Sequence, residues 1–347
     1  MDADSDTRIV TALLAADDRF VTGNSLAGLL GVSRVSVWSH IQNLREQGFE
    51  IEAVRNRGYR IRKRPSRLSL PCLQALLPDR AGCDGLVFHA VTGSTNQDAE
   101  RLLAADKPDP FVVIARRQTE GRGRLGRSWH SADEGNLYAS FAFRPRVAPE
   151  RIRQVTLWIG ARLCQLLEEE TGITPGIKWP NDLCYRDRKI GGILTEARVN
   201  ADQILSLVFG LGLNVNSRPA TWPEPLCRQA ASLREAAGDE VDINGLTARL
   251  IPEVLDAYDT FLTGGHREEF DALWKRFDIL NGRHITGYRD NETVRGTATG
   301  IDSEGQLILE TESGEEFRLN AGDVSLTTRP PPTGHAGSGS PAYSDQA

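Results

Sequence analysis

The sequence predicts a multidomain α+β chain: a small N-terminal helical domain closed by a β-hairpin, a central α/β domain on a mixed sheet, and a small C-terminal β-barrel. Three observations predict it. Residues 8–63 set short helical stretches ahead of one alternating hairpin. Residues 86–213 contain consecutive strands with too few helices between them for a doubly wound parallel sheet. From residue 284 onward, short strands alternate with polar turns. A length of 347 residues accommodates two or three domains, and 39% hydrophobic with 25% charged residues is the composition of a soluble globular protein.

In RIVTALLAA (8–16), Ile9, Leu13 and Ala16 share one helical face, and NSLAGLLG (24–31) is a short helix stopped by Gly31. Ser33 is an N-cap candidate for the next helix, in which Val37, Ile41 and Leu44 form an i, i+4, i+7 stripe that ends at Gly48. FEIEAV (49–54) and YRIRK (59–63) alternate around RNRG as a hairpin. Helix, helix-turn-helix and hairpin in that order make a winged helix-turn-helix over residues 1–64. Its second paired helix directs Ser33, Arg34, Ser36, His40 and Arg45 toward a DNA major groove, with Arg55 and Arg57 on the wing. Residues 55–67 carry seven basic side chains and no acid, although the whole chain has a net charge of −6, so a polyanion partner is expected for this domain alone. A solvated hairpin face would give the same run, and small three-helix domains also bind proteins.

RPSRLSLP (64–71) reads as a linker, and the central domain follows over 65–279. It begins with the strand LVFHAV (86–91) and a helix in which Thr95 and Asp98 stand at capping-box spacing. Strands FVVIA (111–115) and LYASFAFR (137–144), a long helix, strands around GIKW, KIGGILTEARV and ILSLVFGLGLNV, and two late helices near 245–276 complete it. Residues 280–328 form the barrel, SH3-like in size, and 329–347 are a tail without apolar periodicity, expected to be disordered. Five cysteines (Cys72, Cys83, Cys164, Cys184, Cys227) at scattered positions read as reduced thiols of a cytoplasmic protein. No secretory leader or membrane span is expected.

GRGRLGRSW (121–129) follows a strand and fits G-x-G-x-x-G, the letter pattern of a dinucleotide-binding turn. Such a turn must open a helix, because the pyrophosphate rests on that helix's N-terminus. Here RSWHSADEGN and another strand follow, and FAFRPR occupies the place of the ribose-binding acid, so an NAD site is not predicted. Glycines interleaved with Arg122, Arg124 and Arg127 instead suit an anion, through close backbone N–H groups and guanidinium forks. A disordered Arg-Gly nucleic-acid segment is the rival reading. In KWPNDLCYRDRKIGGIL (178–194), Lys178 and Lys189 bracket a turn in which Asp182 is a candidate ligand for a magnesium ion carried on a nucleotide, though Pro-Asn-Asp is also simply a good turn. Asn214 ends the glycine-rich strand GLGLN (210–214). No nucleophile and base stand at recognisable spacing, which fits a reaction that needs charge neutralisation and positioning, such as attack of a carboxylate on the α-phosphate of ATP.

GSTNQ (93–97), Q-x-x-GRGRLGRSW (118–129), KWPND (178–182), KIGGIL (189–194) and GLGLN (210–214), behind a winged helix, resemble the family of bifunctional biotin protein ligases and biotin-operon repressors. The resemblance runs from about residue 8 to residue 327. It implies a central domain similar to class II aminoacyl-tRNA synthetases. That domain joins biotin to ATP, with Mg²⁺, as biotinyl-5′-AMP and passes biotin to a lysine of the biotin carboxyl carrier protein of acetyl-CoA carboxylase. The adenylate also acts as corepressor, favouring a homodimer on two-fold operator DNA. By matching motifs, Ser94, Thr95, Asn96, Gln118, Arg122, Gly123, Arg124 and Lys189 bind biotin, and Arg122, Arg124, Arg127, Trp129, Lys178, Asn181, Asp182 and Asn214 bind ATP or the adenylate. Arg122, Lys178 and Lys189 carry the catalysis. Some members set a tryptophan near the adenine where this chain has Ala230; Trp222 lies earlier. The rivals are a ligand-sensing transcription factor without ligase activity and a lipoate-type ligase.

Overall fold

A computed structural model describes residues 3–77, 85–145, 147–200, 203–289, 292–320 and 323–326. The expected tail over 329–347 and Cys83 lie outside the described residues. Two compact units divide the chain, Met1–Ile279 with Ser303–Gly305, and Leu280–Asp302 with Gln306–Ala347.

The first unit opens with helices α1 (Ala3–Ala15), α2 (Gly23–Leu30) and α3 (Arg34–Glu46), then hairpin strands β1 (Glu50–Val54) and β2 (Gly58–Lys63), paired antiparallel. Thr22 caps α2 by accepting the Ser25 N–H at 3.1 Å, and Gly31, at φ 68°, ends it in the left-handed region that a residue without Cβ enters freely. Ser33 caps α3 by accepting the Ser36 N–H, also at 3.1 Å. Val37, Ile41 and Leu44 are fully buried with Ile9, Leu13 and Leu26, each contributing about 1.5–3 kcal/mol by leaving water.

The segment expected to be a linker is tightly held. Pro71 lies in the first turn of a short helix, α4 (Leu70–Leu76), which the sequence reading did not anticipate. It packs on α1 and on a late helix, α9 (Ile243–Thr263). Cys72 of α4 completes the core of the head, and burial pushes its thiol up to about 12, so it stays an inert protonated thiol. Asn244 of α9, fully buried, accepts the Ser69 N–H at 2.9 Å and donates to the carbonyls of Pro65 (3.0 Å) and Arg67 (3.1 Å). Arg64 pairs with Asp242, the N-cap of α9, and Lys63 reaches Glu240 at 3.4 Å.

The central sheet has seven strands in the order β3-β4-β5-β9-β8-β7-β6: β3 (Leu86–Thr92), β4 (Phe111–Gln118), β5 (Leu137–Phe143), β6 (Gly176–Lys178), β7 (Asp182–Tyr185), β8 (Arg188–Val199) and β9 (Ile204–Leu213). β3 and β4 run parallel and the remaining neighbours antiparallel, the mixed sheet the sequence predicts. Every residue of β5 is buried, so both faces of the sheet are covered there. Helix α5 (Thr95–Ala104) packs on β4, β5 and β9, while α6 (Arg151–Thr171) packs on β8 and α9. Short helices α7 (Leu226–Gln229) and α8 (Leu233–Ala237) precede α9, and α10 (Arg267–Phe277) follows it. The expected capping box of Thr95 and Asp98 does not form. Ser94 takes the N-cap position, one residue earlier, and Asp98 instead accepts from Thr92 Oγ1 at 2.5 Å and pairs with Arg101.

His266, against Trp158 and Phe261, is held below its ordinary pKa of 6.5 by burial and by Arg151 and Arg267. A histidine that resists protonation when folded adds stability above its unfolded value. We therefore expect stability to decline as pH falls from about 6.5 toward the lower folded value, and His266→Phe to flatten that segment of the urea-midpoint profile.

The second unit is a five-stranded antiparallel sheet in the order β13-β12-β11-β10-β14, from β10 (His284–Arg289), β11 (Glu292–Ile301), β12 (Leu307–Glu310), β13 (Glu316–Leu319) and β14 (Asp323–Leu326). Ile285, Ala298, Leu307, Leu309 and Leu319 are buried along its alternating strands. Among the described residues, no helix is long and apolar enough to cross a membrane.

Candidate functional site

The Gly-Arg segment is an ordered loop. It leaves β4, turns through Leu125 and Gly126 at positive φ, and returns, with the Gly123 N–H donating to Arg127 O at 2.7 Å and the Trp129 N–H to Gly121 O at 2.8 Å. No helix opens after Gly126, which removes the structural basis of an NAD site. Leu125 is 70% exposed at the tip, beside exposed Arg127, so the tip covers no core of its own.

Beyond the tip, Trp129 lies on the glycine floor of the sheet. A Cβ on Gly212 of β9 would overlap its indole ring, and one on Gly192 of β8 would crowd both that ring and the Lys189 side chain. Lys189 Nζ stands 5.1 Å from the ring centroid and 2.7 Å from Asp182 Oδ1. The Pro-Asn-Asp segment is indeed the turn of a hairpin, and the β6–β7 register sets Lys178 opposite Asp182. Asn181 donates to Ile193 O at 2.7 Å and accepts from Arg124 Nη1 at 3.2 Å. Asn214 is buried, and its amide donates to Ala231 O (3.0 Å) and Lys189 O (3.4 Å). The Trp129 Nε1 and Asn214 Oδ1 atoms are buried without a hydrogen-bond partner among the described residues. Five of the expected residues, Arg124, Trp129, Asn181, Asp182 and Lys189, thus meet in a chain of direct contacts, with Lys178 across the hairpin and Asn214 supporting the Lys189 backbone.

A second, polar group lies at the N-terminus of α5. The Thr95 N–H and hydroxyl donate to Gln118 Oε1 at 2.8 and 3.0 Å, and Gln118 Nε2 donates to Ser131 Oγ at 3.1 Å. Ser140 Oγ on β5 lies 2.7 Å from Thr95 Oγ1 and 2.6 Å from Asn96 Oδ1. Asn96 donates to Glu196 Oε2 at 2.6 Å and backs onto Gly210, where a Cβ would overlap it. Ser94 is buried beside them. Ser131 Oγ donates to Trp129 O at 3.0 Å, which joins this group to the loop. Arg122 is exposed, its guanidinium set against the terminal amide of Gln97, with Nη1 at 3.3 Å.

The sequence reading missed Gln97, Ser131, Ser140 and Glu196. Ser140 had a usable signal, a lone hydroxyl in the buried apolar run LYASFAF. Ala230 forms a bridge with Lys189, through the Ala231 N–H to Lys189 O at 2.9 Å. Trp222 stands elsewhere, its ring centroid 4.7 Å from that of His130 and its Nε1 donating to Asp133 at 2.7 Å, so it braces the chain after the loop.

In the head, two expected DNA contacts need correction. His40 is buried and bound to Asp6 at 2.7 Å, because it falls beside Val37, Ile41 and Leu44 on the inner face of α3. Arg45 donates through Nε and Nη2 to Ile51 O at 3.2 and 2.6 Å, fastening α3 to the hairpin. Ser33 and Ser36 occupy the cap, their hydroxyls 3.0 Å apart. Arg34, Arg55 and Arg57 are exposed. The basic run is largely neutralised within the chain. Arg60 and Arg62 share Glu52, whose carboxyl they hold below the usual range chiefly through the Arg60 hydrogen bond, and Lys63, Arg64 and Arg67 pair with Glu240, Asp242 and Glu134. Among the described residues no carboxylate pairs with Arg55 or with Arg57, which lies over the Phe20 ring at 4.4 Å, so positive charge is left at the wing tip.

Among the described residues, no three His, Cys, Asp or Glu side chains cluster as a metal site. Asp182 offers a single carboxylate, the donor set that a magnesium ion already carried on phosphate oxygens needs.

Comparison with known proteins places these features in context. Residues 88–214 match the Biotin/lipoate A/B protein ligase family, residues 7–60 an HTH domain, and residues 281–327 the Biotin protein ligase C terminal domain. The bifunctional ligase/repressor BirA of Bacillus subtilis is 35% identical over 90% of this chain and 95% of its own length. The protein of the same name from Escherichia coli is 30% identical over 90% and 95%. Among solved structures, the biotin protein ligase of Aquifex aeolicus in complex with biotin and ATP aligns with a TM-score of 0.60 and 29% identity, covering 71% of this chain and 99% of that one.

Proposed function

Since the chain belongs to the family of bifunctional biotin ligase/repressors, we propose that the two polar groups around the Gly-Arg loop form one site, in which biotin is activated by ATP. The chain is an ATP-dependent biotin protein ligase and a DNA-binding repressor. The observation that carries the site assignment is the meeting of Trp129 and Lys189 over the Gly192–Gly212 floor, between the Asp182 hairpin and the Thr95–Gln118 group.

In this reading, Ser94, Thr95, Asn96 and Gln118 receive the biotin ring system, with Ser140 fixing the Thr95 and Asn96 side chains. Gly123 and Arg124 lie along the ligand in the closed loop. Lys189 holds the biotin carboxylate, and Lys178, Arg122 and Arg127 face the phosphates, with Asn181 aligning Arg124. Asp182 would hold a magnesium ion arriving with the nucleotide, which screens phosphate charge. A carboxylate oxygen of biotin attacks the α-phosphorus, the new O–P bond forms, and pyrophosphate leaves with the electrons of the bond that breaks. The cations offset the charge gathering on the α-phosphate oxygens. Arg122 leaves Gln97 as the loop closes and excludes water from the mixed anhydride. A neutral lysine amine of the biotin carboxyl carrier protein then attacks the acyl carbon, forms the amide, loses its proton and expels AMP. Asn214 Oδ1 and the Ala230 backbone flank the place left for adenine.

We read the central domain as related to class II aminoacyl-tRNA synthetases, the C-terminal unit as an SH3-like barrel, and the working form as a cytoplasmic protein that dimerises on binding the adenylate and then occupies a two-fold operator. The decisive assay is exchange of labelled pyrophosphate into ATP. Exchange dependent on biotin is expected; exchange with lipoate instead, or none, contradicts the ligase assignment.

Two further results follow. Gly210→Ala presses a methyl group onto Asn96 and should raise the biotin KM about tenfold, the size of one lost hydrogen bond, with kcat less affected; an unchanged KM would remove Asn96 from the pocket. Arg55→Ala and Arg57→Ala should weaken DNA binding alike on all sequences, and each should lower the slope of log K against log salt by about 0.9.

A further inference from the structure

On α3, two large apolar side chains stand outside the buried stripe of Val37, Ile41 and Leu44. Val35 is 74% exposed and Trp38 55% exposed, three residues apart on the outer face of the helix. They line a groove of about 1040 Å³ with Arg34 of the same helix and Arg55, Asn56 and Tyr59 of the wing. Most hydrogen-bonding side chains that the helix could turn outward are committed locally. Ser33 and Ser36 cap it, Ser39 Oγ donates to Val35 O at 3.3 Å, His40 holds Asp6, and Arg45 holds the hairpin. Even the polar atom of Trp38 faces a neighbour, because its Nε1 lies 3.2 Å from the terminal amide of Gln42, which also lies 3.1 Å from Arg45 Nη1. What Trp38 offers outward is therefore mainly a hydrocarbon surface.

The occupant that fits this face is B-form DNA. Arg34 and Arg55 flank the apolar pair with positive charge, and the N-terminal turns of the second helix of a helix-turn-helix are the part that enters the major groove. The apolar feature displayed on the base edges there is the thymine C5-methyl group. We propose that Val35 and Trp38 read thymine methyl groups, so that sequence selection in each half-site rests on apolar contact as well as on hydrogen bonds from Arg34. This deepens the repressor reading and rests on it.

The test uses the full chain with biotin and ATP, and duplexes enriched by it from a random-sequence pool. Each dT is replaced in turn by dU, which removes only the methyl group and leaves the protein untouched. At one or more thymines per half-site, dU should weaken wild-type binding about fourfold, the effect of one buried methyl-sized group. That penalty should vanish in Trp38→Gln or Val35→Ser and persist, reduced, in Trp38→Phe. If wild type binds every dU duplex as tightly as its dT parent, or if the penalty survives unchanged in both polar variants, the methyl readout is wrong while DNA binding stands. Enrichment of no sequence at all would overturn the repressor reading and this proposal together.

Discussion

Replacing Lys189 with glutamine should slow biotinyl-adenylate formation about 10²- to 10³-fold in single-turnover measurements, the usual cost of deleting one preorganised electrostatic donor. The lysine is aimed from three sides. Asp182 pairs with Nζ at 2.7 Å, the Trp129 ring lies below it at 5.1 Å, and the Gly192 backbone leaves room for the stem. Its carbonyl is held by Asn214 and the Ala231 N–H, so the whole residue is fixed before substrate arrives. Arginine should recover little, because a planar guanidinium is bulkier than the ammonium group that this space accommodates. A loss under tenfold for Lys189→Gln would mean that the carboxylate and α-phosphate meet elsewhere.

The second large effect is on stability. Asn244→Ala should destabilise the head and ligase unit by about 3 kcal/mol, read as a shift in the urea midpoint of the full chain. One side chain satisfies the Ser69 N–H and the Pro65 and Arg67 carbonyls, and a buried backbone group left without its partner costs about 1–3 kcal/mol. Water can re-enter near the half-exposed Arg67, which keeps the total well below three full penalties. Asn244→Asp, which keeps an acceptor for Ser69 but sets a buried carboxylate against the Pro65 and Arg67 carbonyls, should cost at least as much at neutral pH. A shift below about 1 kcal/mol for Asn244→Ala would show that α4 packing alone holds the segment.

Most of the architecture was legible because its signals are local. Ser33 and Gly31 mark helix ends by side-chain and backbone chemistry, and consecutive strands such as β8 and β9 with no helix between them exclude a doubly wound parallel sheet. The motif glycines Gly192, Gly210 and Gly212 sit where the Trp129, Lys189 and Asn96 side chains press against the sheet. What failed was longer-range. His40 and Arg45 looked outward because a polar residue on a helix is ordinarily solvated, and only the fold reveals Asp6 and Ile51 O waiting for them. The prolines of 64–71 suggested a loose connection, whereas the partner that orders it, Asn244, lies far along the chain. The basic run overstated the charge offered to DNA for the same reason, since Glu52, Glu134, Glu240 and Asp242 neutralise most of it from other elements.

In the proposed function one adenylate serves two ends, as acyl donor and as the signal for DNA binding. That coupling is tested most directly by measuring affinity for a duplex selected by the protein itself, first without ligand, then with biotin and ATP, and finally after adding biotin carboxyl carrier domain. Affinity should rise at least about tenfold, or 1.4 kcal/mol, when the adenylate forms, and fall again as the carrier consumes it. Affinity unchanged through all three stages would contradict the coupling.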